Sequence, residues 1–146
     1  MRIYPPVWFV LAVIAMIVLA RFVPIVSWHV AALRWTGIAL IVVGFALGLT
    51  AAVRFRRRGT PLKPFTRSTA LVVEGPYRFT RNPMYLGLAT ILVGAALALE
   101  ALTPFIVVPV FVAIITTQFI VPEEAMLTER FGDAYGDFRR RVRRWL

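Results

Sequence analysis

From Val7 to Ala20 no side chain is charged, and three further apolar runs follow, from about Val30 to Val53, from Met84 to Leu99 and from Phe105 to Val121. Runs of this length restrict the fold more than any other feature. A segment in a bilayer must satisfy its own backbone N–H and C=O groups, and a helix of roughly 20 residues does so while spanning the hydrocarbon. The reading is an all-α polytopic membrane protein, one domain over residues 1–146, with about four transmembrane helices. A mean hydropathy of +0.77 agrees. Residues 1–53 supply two N-terminal spans, and residues 54–146 supply a connecting loop, a helical hairpin and a C-terminal amphipathic helix.

Pro5-Pro6 fits the start of the first helix, because proline lacks only an N–H that a first turn leaves unused. Arg2 and Val18-Leu19-Ala20 are also the pieces of a minimal signal peptide, but a retained span is the preferred reading. Ser27-Trp28-His29 reads as an interfacial loop, with the one histidine there an interface residue rather than a base. In the second span Gly37, Gly44 and Gly48 fall near one helical face, so another helix can approach closely. A polar connection from Arg54 to Asn82 follows, rich in arginine and proline yet carrying Phe65, Leu71, Val72, Tyr77 and Phe79. That mixture predicts a folded cap that forms a site. Asn82-Pro83 predicts a capped start for the third span, and Glu100 to Pro104 a tight turn before the fourth, which ends at Pro122. Beyond it Phe131, Tyr135, Phe138, Val142 and Trp145 recur every three or four residues between arginines, the pattern of an amphipathic helix.

The chain has no cysteine and one histidine, which excludes disulfides, thiol catalysis and a His/Cys metal site. The net charge of +10 lies at the borders of apolar spans, which points to anionic lipid headgroups and not to nucleic acid. With four spans, 15 of the 17 Lys and Arg residues fall on one side, so both termini and the long connection are expected in the cytoplasm, in the plasma or inner membrane.

The third and fourth spans form a hairpin, so the start of one and the end of the other emerge on one face. This brings the cluster Gly75-Pro76-Tyr77-Arg78-Phe79-Thr80-Arg81-Asn82-Pro83-Met84-Tyr85 towards Glu123-Glu124. Neighbouring helical residues point about 100° apart, so one Glu is expected to face a ligand while the other supports it. Each part has a plainer reading: Arg78 and Arg81 as positive anchors, Asn82-Pro83 as a cap, Tyr77 and Tyr85 as interface aromatics, the Glu pair as a solvated helix start. Gathered on one face, they predict a pocket.

These residues carry a resemblance. Leu71-Val72-x-x-Gly75-Pro76-Tyr77-Arg78-x-x-Arg81-Asn82-Pro83-x-Tyr85-x-Gly87, then Glu123-Glu124-x-x-Leu127-x-x-x-Phe131-Gly132-x-x-Tyr135, resembles the isoprenylcysteine carboxyl methyltransferase and phospholipid methyltransferase superfamily. The match covers roughly Thr69 to Arg144, about half the chain. The resemblance implies an integral membrane enzyme that binds S-adenosylmethionine on the cytoplasmic side and methylates a lipophilic acceptor. Carried over by position, it places the cofactor against Thr69, Ala70, Leu71 and Val72, near Tyr77, Arg78 and Arg81, along Asn82-Pro83-Met84-Tyr85, and against Glu123. Tyr85 and Glu124 are the candidates for a part in the chemistry, Glu124 as the group that takes a proton from an amine acceptor.

The chemistry of the side chains is compatible. A carboxylate such as Glu123 accepts two hydrogen bonds from a ribose diol, tyrosine faces attract a sulfonium cation, and arginine holds a methionine carboxylate. Methyl transfer is an in-line displacement that rests mainly on alignment. Two positions depart from the prenylcysteine enzymes: Asn82 stands where they have histidine, and Phe119 where they have an arginine that engages the acceptor's carboxylate. A prenylcysteine-type acceptor is therefore not expected. The rival readings are a sterol-type reductase using NADPH, which shares the Arg-x-Pro-x-Tyr element but lacks Glu-Glu-x-x-Leu, and a small four-helix transporter, for which the first two spans lack a carboxylate.

Overall fold

The computed structural model describes residues 4–57 and 71–146. Among these residues the chain is all helical apart from turns and one isolated antiparallel bridge, Ser27 to Ala101. Helix α1, Pro5–Phe22, starts on proline at its first turn and closes with the Val23 N–H bonded to the Leu19 carbonyl. Helix α2, Ala31–Arg57, continues a turn past the expected end at Val53, so Arg54, Arg56 and Arg57 belong to the helix and not to the connection. The physical reason is that arginine is a good helix former and its charge is favoured at a helix C-terminus. Helix α3 spans Pro83–Ala98, 16 residues.

The last third departs most from expectation. Helix α4, Val107–Ile115, passes through a π turn at Thr116–Ile120 into helix α5, Val121–Arg141, so Pro122 does not end the span. A proline within a helix removes the N–H that would bond four residues back and crowds that carbonyl. The wider π turn just before Pro122 takes up this mismatch without breaking the rod. The true bend comes later, at Gly132, with φ +50°. The amphipathic tail therefore begins within the continuous helix and, beyond the bend at Gly132, forms a separate helical segment. It ends at Arg141, and Val142 is extended, so Trp145 does not share the helical face expected of it.

Helices α2 and α3 pack antiparallel with their backbones touching. A Cβ on Gly37 would lie 2.5 Å from the Gly94 carbonyl oxygen, and one on Gly44 would lie 2.6 Å from that of Gly87. The glycine face of α2 therefore meets a matching glycine face within the same chain. Threonine hydroxyls along the helices bond to carbonyls four residues back, as Thr36, Thr50, Thr90 and Thr116 do, so they leave no donor facing lipid.

One apolar core joins α1, α3 and α4 through Ala12, Met16, Leu92, Ala96, Phe111 and Ile115. A second, at the arginine-rich end, gathers Ala51, Val72, Tyr77, Tyr135, Phe138 and Val142. At the opposite end the two short loops are stitched together, with Trp28 N–H donating to the Glu100 carbonyl at 3.0 Å and Leu102 N–H to that of Val26 at 2.9 Å. Outside the cores, Val10, Ile14 and Ile17 of α1 and Val42, Val43 and Phe45 of α2 remain about half exposed or more. Pro5–Phe22, Ala31–Arg57 and Thr103–Arg141 are each long and apolar enough to cross a membrane, and Pro83–Ala98 is a shorter apolar helix.

Candidate functional site

The site is assembled where the chain enters α3. Gly75 has φ +60°, a conformation open to glycine at little cost, and Pro76 follows at the start of a 3-10 turn, Gly75–Arg78. This turn drives Tyr77 inward, where it is 5% exposed and stacks on Phe55 of α2 with ring centroids 6.2 Å apart. The Tyr77 hydroxyl is buried and has no hydrogen-bond partner among the described residues. Burial, and then the Glu123 carboxylate, push this phenol well above its ordinary pKa, so it remains a proton donor.

The next residues are tied to the C-terminal segment. Arg81 N–H donates to the Arg143 carbonyl at 2.9 Å. The Asn82 side-chain amide donates to the Arg144 carbonyl at 2.9 Å, and the Thr80 hydroxyl donates to the same oxygen at 3.2 Å. Asn82 therefore does not cap α3 with its side chain, as the sequence suggests it can. Donation to Arg144 fixes the orientation of the side chain, its oxygen accepts no N–H from the first turn, and α3 starts on Pro83. Trp145 reaches further, with its indole N–H 3.3 Å from the Thr116 hydroxyl in the π turn.

Within the first turn of α3, the Tyr85 hydroxyl donates to Glu123 Oε1 at 3.0 Å. The two halves of the sequence motif thus meet, 38 residues apart in the chain. Glu123 and Glu124 point to different partners, as their helical spacing requires. Glu124 is 8% exposed and holds Arg81 Nη1 at 3.0 Å and Arg144 at 3.0 and 2.7 Å. Both its oxygens are taken by guanidinium groups, which is the setting of a structural tie. Arg81 also reaches the Tyr135 hydroxyl at 3.5 Å, while its Nε is buried without a partner among the described residues.

Of the other sequence candidates, Leu71, Val72 and Met84 belong to the second core or pack against it, forming an apolar wall beside Tyr77. Arg78 is exposed and lines an outer groove together with Arg54 and Arg141, away from the Tyr85 to Glu123 contact. Thr69 and Ala70 lie outside the described residues. Phe119 is 1% exposed in the first core, so an apolar ring fills the place where the resemblance would put an acceptor-binding arginine. Arg144 and Trp145 were missed by sequence reasoning. Arg144 is one of six arginines in the tail, and nothing in their spacing sets it apart.

The model of a family described as phospholipid methyltransferase matches residues 32–134. An uncharacterized protein of Haemophilus influenzae is 38% identical over 63 residues, covering 43% of this chain and all of that protein. No solved structure matches. The matched residues run from the second residue of α2 to just beyond the Gly132 bend, and so include the first motif half and the second from Glu123 to Gly132.

Proposed function

The chain belongs to the phospholipid methyltransferase family, and from that premise we propose that it is a membrane methyltransferase that takes its methyl group from S-adenosylmethionine and gives it to a lipophilic acceptor arriving from the bilayer. The observation that carries the reading is the Tyr85 to Glu123 hydrogen bond of 3.0 Å, set beside the buried Tyr77 hydroxyl, which has no partner among the described residues. A buried donor without an acceptor is costly, about 1–3 kcal/mol. Two such donors, Tyr77 Oη and Arg81 Nε, at the foot of one motif fit a ligand rich in acceptor oxygens.

When bound, S-adenosylmethionine supplies a methyl group on a positively charged sulfur that departs as a neutral thioether. This chain's residues bind and orient. Glu123 accepts the Tyr85 bond on Oε1, has no bond to Oε2 among the described residues, and suits a ribose diol. The rings of Tyr77 and Tyr85 favour a cation at their faces. Arg81 Nε suits a carboxylate, and Leu71, Val72 and Met84 shed water from the reacting atoms. Glu124 and Arg144 hold Arg81 in place, so we assign Glu124 a positioning role, and an amine acceptor would lose its proton to water. With Phe119 in place of an arginine, the acceptor carries no carboxylate that needs a guanidinium. The arginine-rich end faces the cytoplasm in this reading, by the asymmetry of positive charge.

The deciding experiment is a thermal-shift or calorimetric titration of detergent-solubilised protein with S-adenosylhomocysteine, with NADPH as the comparison. Stabilisation by S-adenosylhomocysteine is expected; stabilisation by NADPH alone would overturn the reading in favour of a reductase.

A further inference from the structure

A concavity lies at the arginine-rich end, apart from the Tyr85 to Glu123 contact. Its inner part, about 790 Å³, is lined by Arg54, Arg78 and Arg141 together with Phe79, Phe138 and Val142. A neighbouring part, about 530 Å³, is lined by Leu49, Val53, Arg54, Arg57 and Val72. Arg54 and Glu74 line both, so the two parts adjoin as one groove, which among the described residues has four guanidinium groups and one carboxylate in its lining. Neither part includes Tyr77, Arg81, Tyr85 or Glu123.

The groove is graded along α2. Leu49 and Val53, 59% and 38% exposed, lie on the flank of a helix apolar enough to span a bilayer, and Arg54 and Arg57 follow within about two turns. Phe79, at the other rim, is 76% exposed. The Arg54 side chain crosses Gly75 so closely that a Cβ there would fall 2.4 Å from Nε, so the missing side chain of Gly75 creates the place where this guanidinium lies. Arginine matches a phosphate with paired N–H donors. An apolar track that leads directly into arginines matches acyl chains attached to that phosphate, and a free anion would leave the track unused.

We propose that this groove binds one anionic phospholipid, its phosphate among Arg54, Arg57, Arg78 and Arg141 and its acyl chains along Leu49 and Val53. The lipid is a bound companion of the fold; its place adjoins the methyl-transfer site at Val72 but includes none of Tyr77, Arg81, Tyr85 and Glu123. The site also separates these arginines from Arg139, which lies at the same end of the molecule but lines neither part of the groove.

The test is native mass spectrometry of the full chain released from detergent after titration with phosphatidylglycerol or with phosphatidylcholine of the same acyl length. One phosphatidylglycerol is expected to remain bound where phosphatidylcholine does not. Arg54→Gln and Arg141→Gln are each expected to weaken that binding about fivefold, from the usual contribution of an arginine to an anionic headgroup. Arg139→Gln is expected to leave it unchanged, and Arg141→Gln to leave the S-adenosylhomocysteine thermal shift unchanged. Equal retention of both lipids, or an equal loss on Arg139→Gln, would show diffuse surface charge and overturn the proposal. Displacement of the lipid by millimolar inorganic phosphate would show a free-anion pocket and overturn it too. Should Arg54→Gln fail to fold, Arg141→Gln, exposed at the end of α5, decides alone.

Discussion

Arg144 grips Glu124 through two hydrogen bonds, Nε to Oε1 at 3.0 Å and Nη2 to Oε2 at 2.7 Å. Hydrogen bonding to this carboxylate holds the Arg144 guanidinium above its ordinary pKa. Because the Arg144 carbonyl also accepts bonds from Thr80 and Asn82, one residue near the C-terminus binds both halves of the motif. Arg144→Ala removes the side-chain part of this tie but leaves Glu124 paired with Arg81. With Arg144 about a third exposed, the expected loss is about 1–2 kcal/mol of stability, read as a lower Tm in detergent, together with weaker S-adenosylhomocysteine binding. Glu124→Ala strands the buried Arg81 and is expected to cost more, about 3–5 kcal/mol.

Glu123 separates binding from stability. Glu123→Ala is expected to weaken S-adenosylhomocysteine at least tenfold by calorimetry, from the loss of charge-assisted hydrogen bonds worth about 1.5–3 kcal/mol. Glu100→Gln, in the turn at the opposite end, is expected to have no effect. Equal effects of the two substitutions would mean that the cofactor site lies elsewhere.

Tyr77→Phe removes a buried hydroxyl that has no partner among the described residues. The ligand-free protein is expected to gain about 1 kcal/mol of stability, because an unsatisfied donor is deleted, while affinity for S-adenosylhomocysteine falls. Opposite signs in the two measurements are the mark of a residue kept for its ligand. A fall in both would assign the hydroxyl a structural role.

Glycine spacing between α2 and α3 predicts a graded series. Gly37→Ala would place a Cβ 2.5 Å from the Gly94 oxygen and Gly44→Ala one 2.6 Å from the Gly87 oxygen, and each is expected to cost about 1–3 kcal/mol by thermal unfolding. Gly48→Ala meets nothing nearer than 3.9 Å and is expected to be neutral or stabilising, by up to about 1 kcal/mol of helix propensity.

The chain has no cysteine, so single cysteines report topology directly. On intact cells, His29→Cys is expected to react with a membrane-impermeant maleimide, and Asp133→Cys only after the membrane is opened. The reverse pattern would invert the proposed orientation.

Much of the architecture was legible because membrane spans follow from local facts. Charge-free length, proline at helix starts and the count of arginines do not depend on what packs against what. The facing of Tyr85 and Glu123 was legible for a similar reason, since two antiparallel helices joined by a short turn must return to the same level. Pro122 misled because its local rule, ending a helix, was overridden by a π turn that only the folded rod displays. Asn82 misled because a distant carbonyl at Arg144 takes its side-chain N–H and so orients the side chain, whose oxygen then caps nothing.

The sequence by itself determined the helical class, the apolar segments and the two clusters that form the candidate site. Only the tertiary structure decided which carboxylate faces Tyr85 and which is locked between Arg81 and Arg144, that Gly37 and Gly44 meet Gly94 and Gly87, and that Arg144 rather than another tail arginine closes the site. Periodicity and charge are properties of neighbouring residues and can be counted along the chain. Partner choice among equivalent arginines depends on distances across the bundle, which no spacing in the chain encodes.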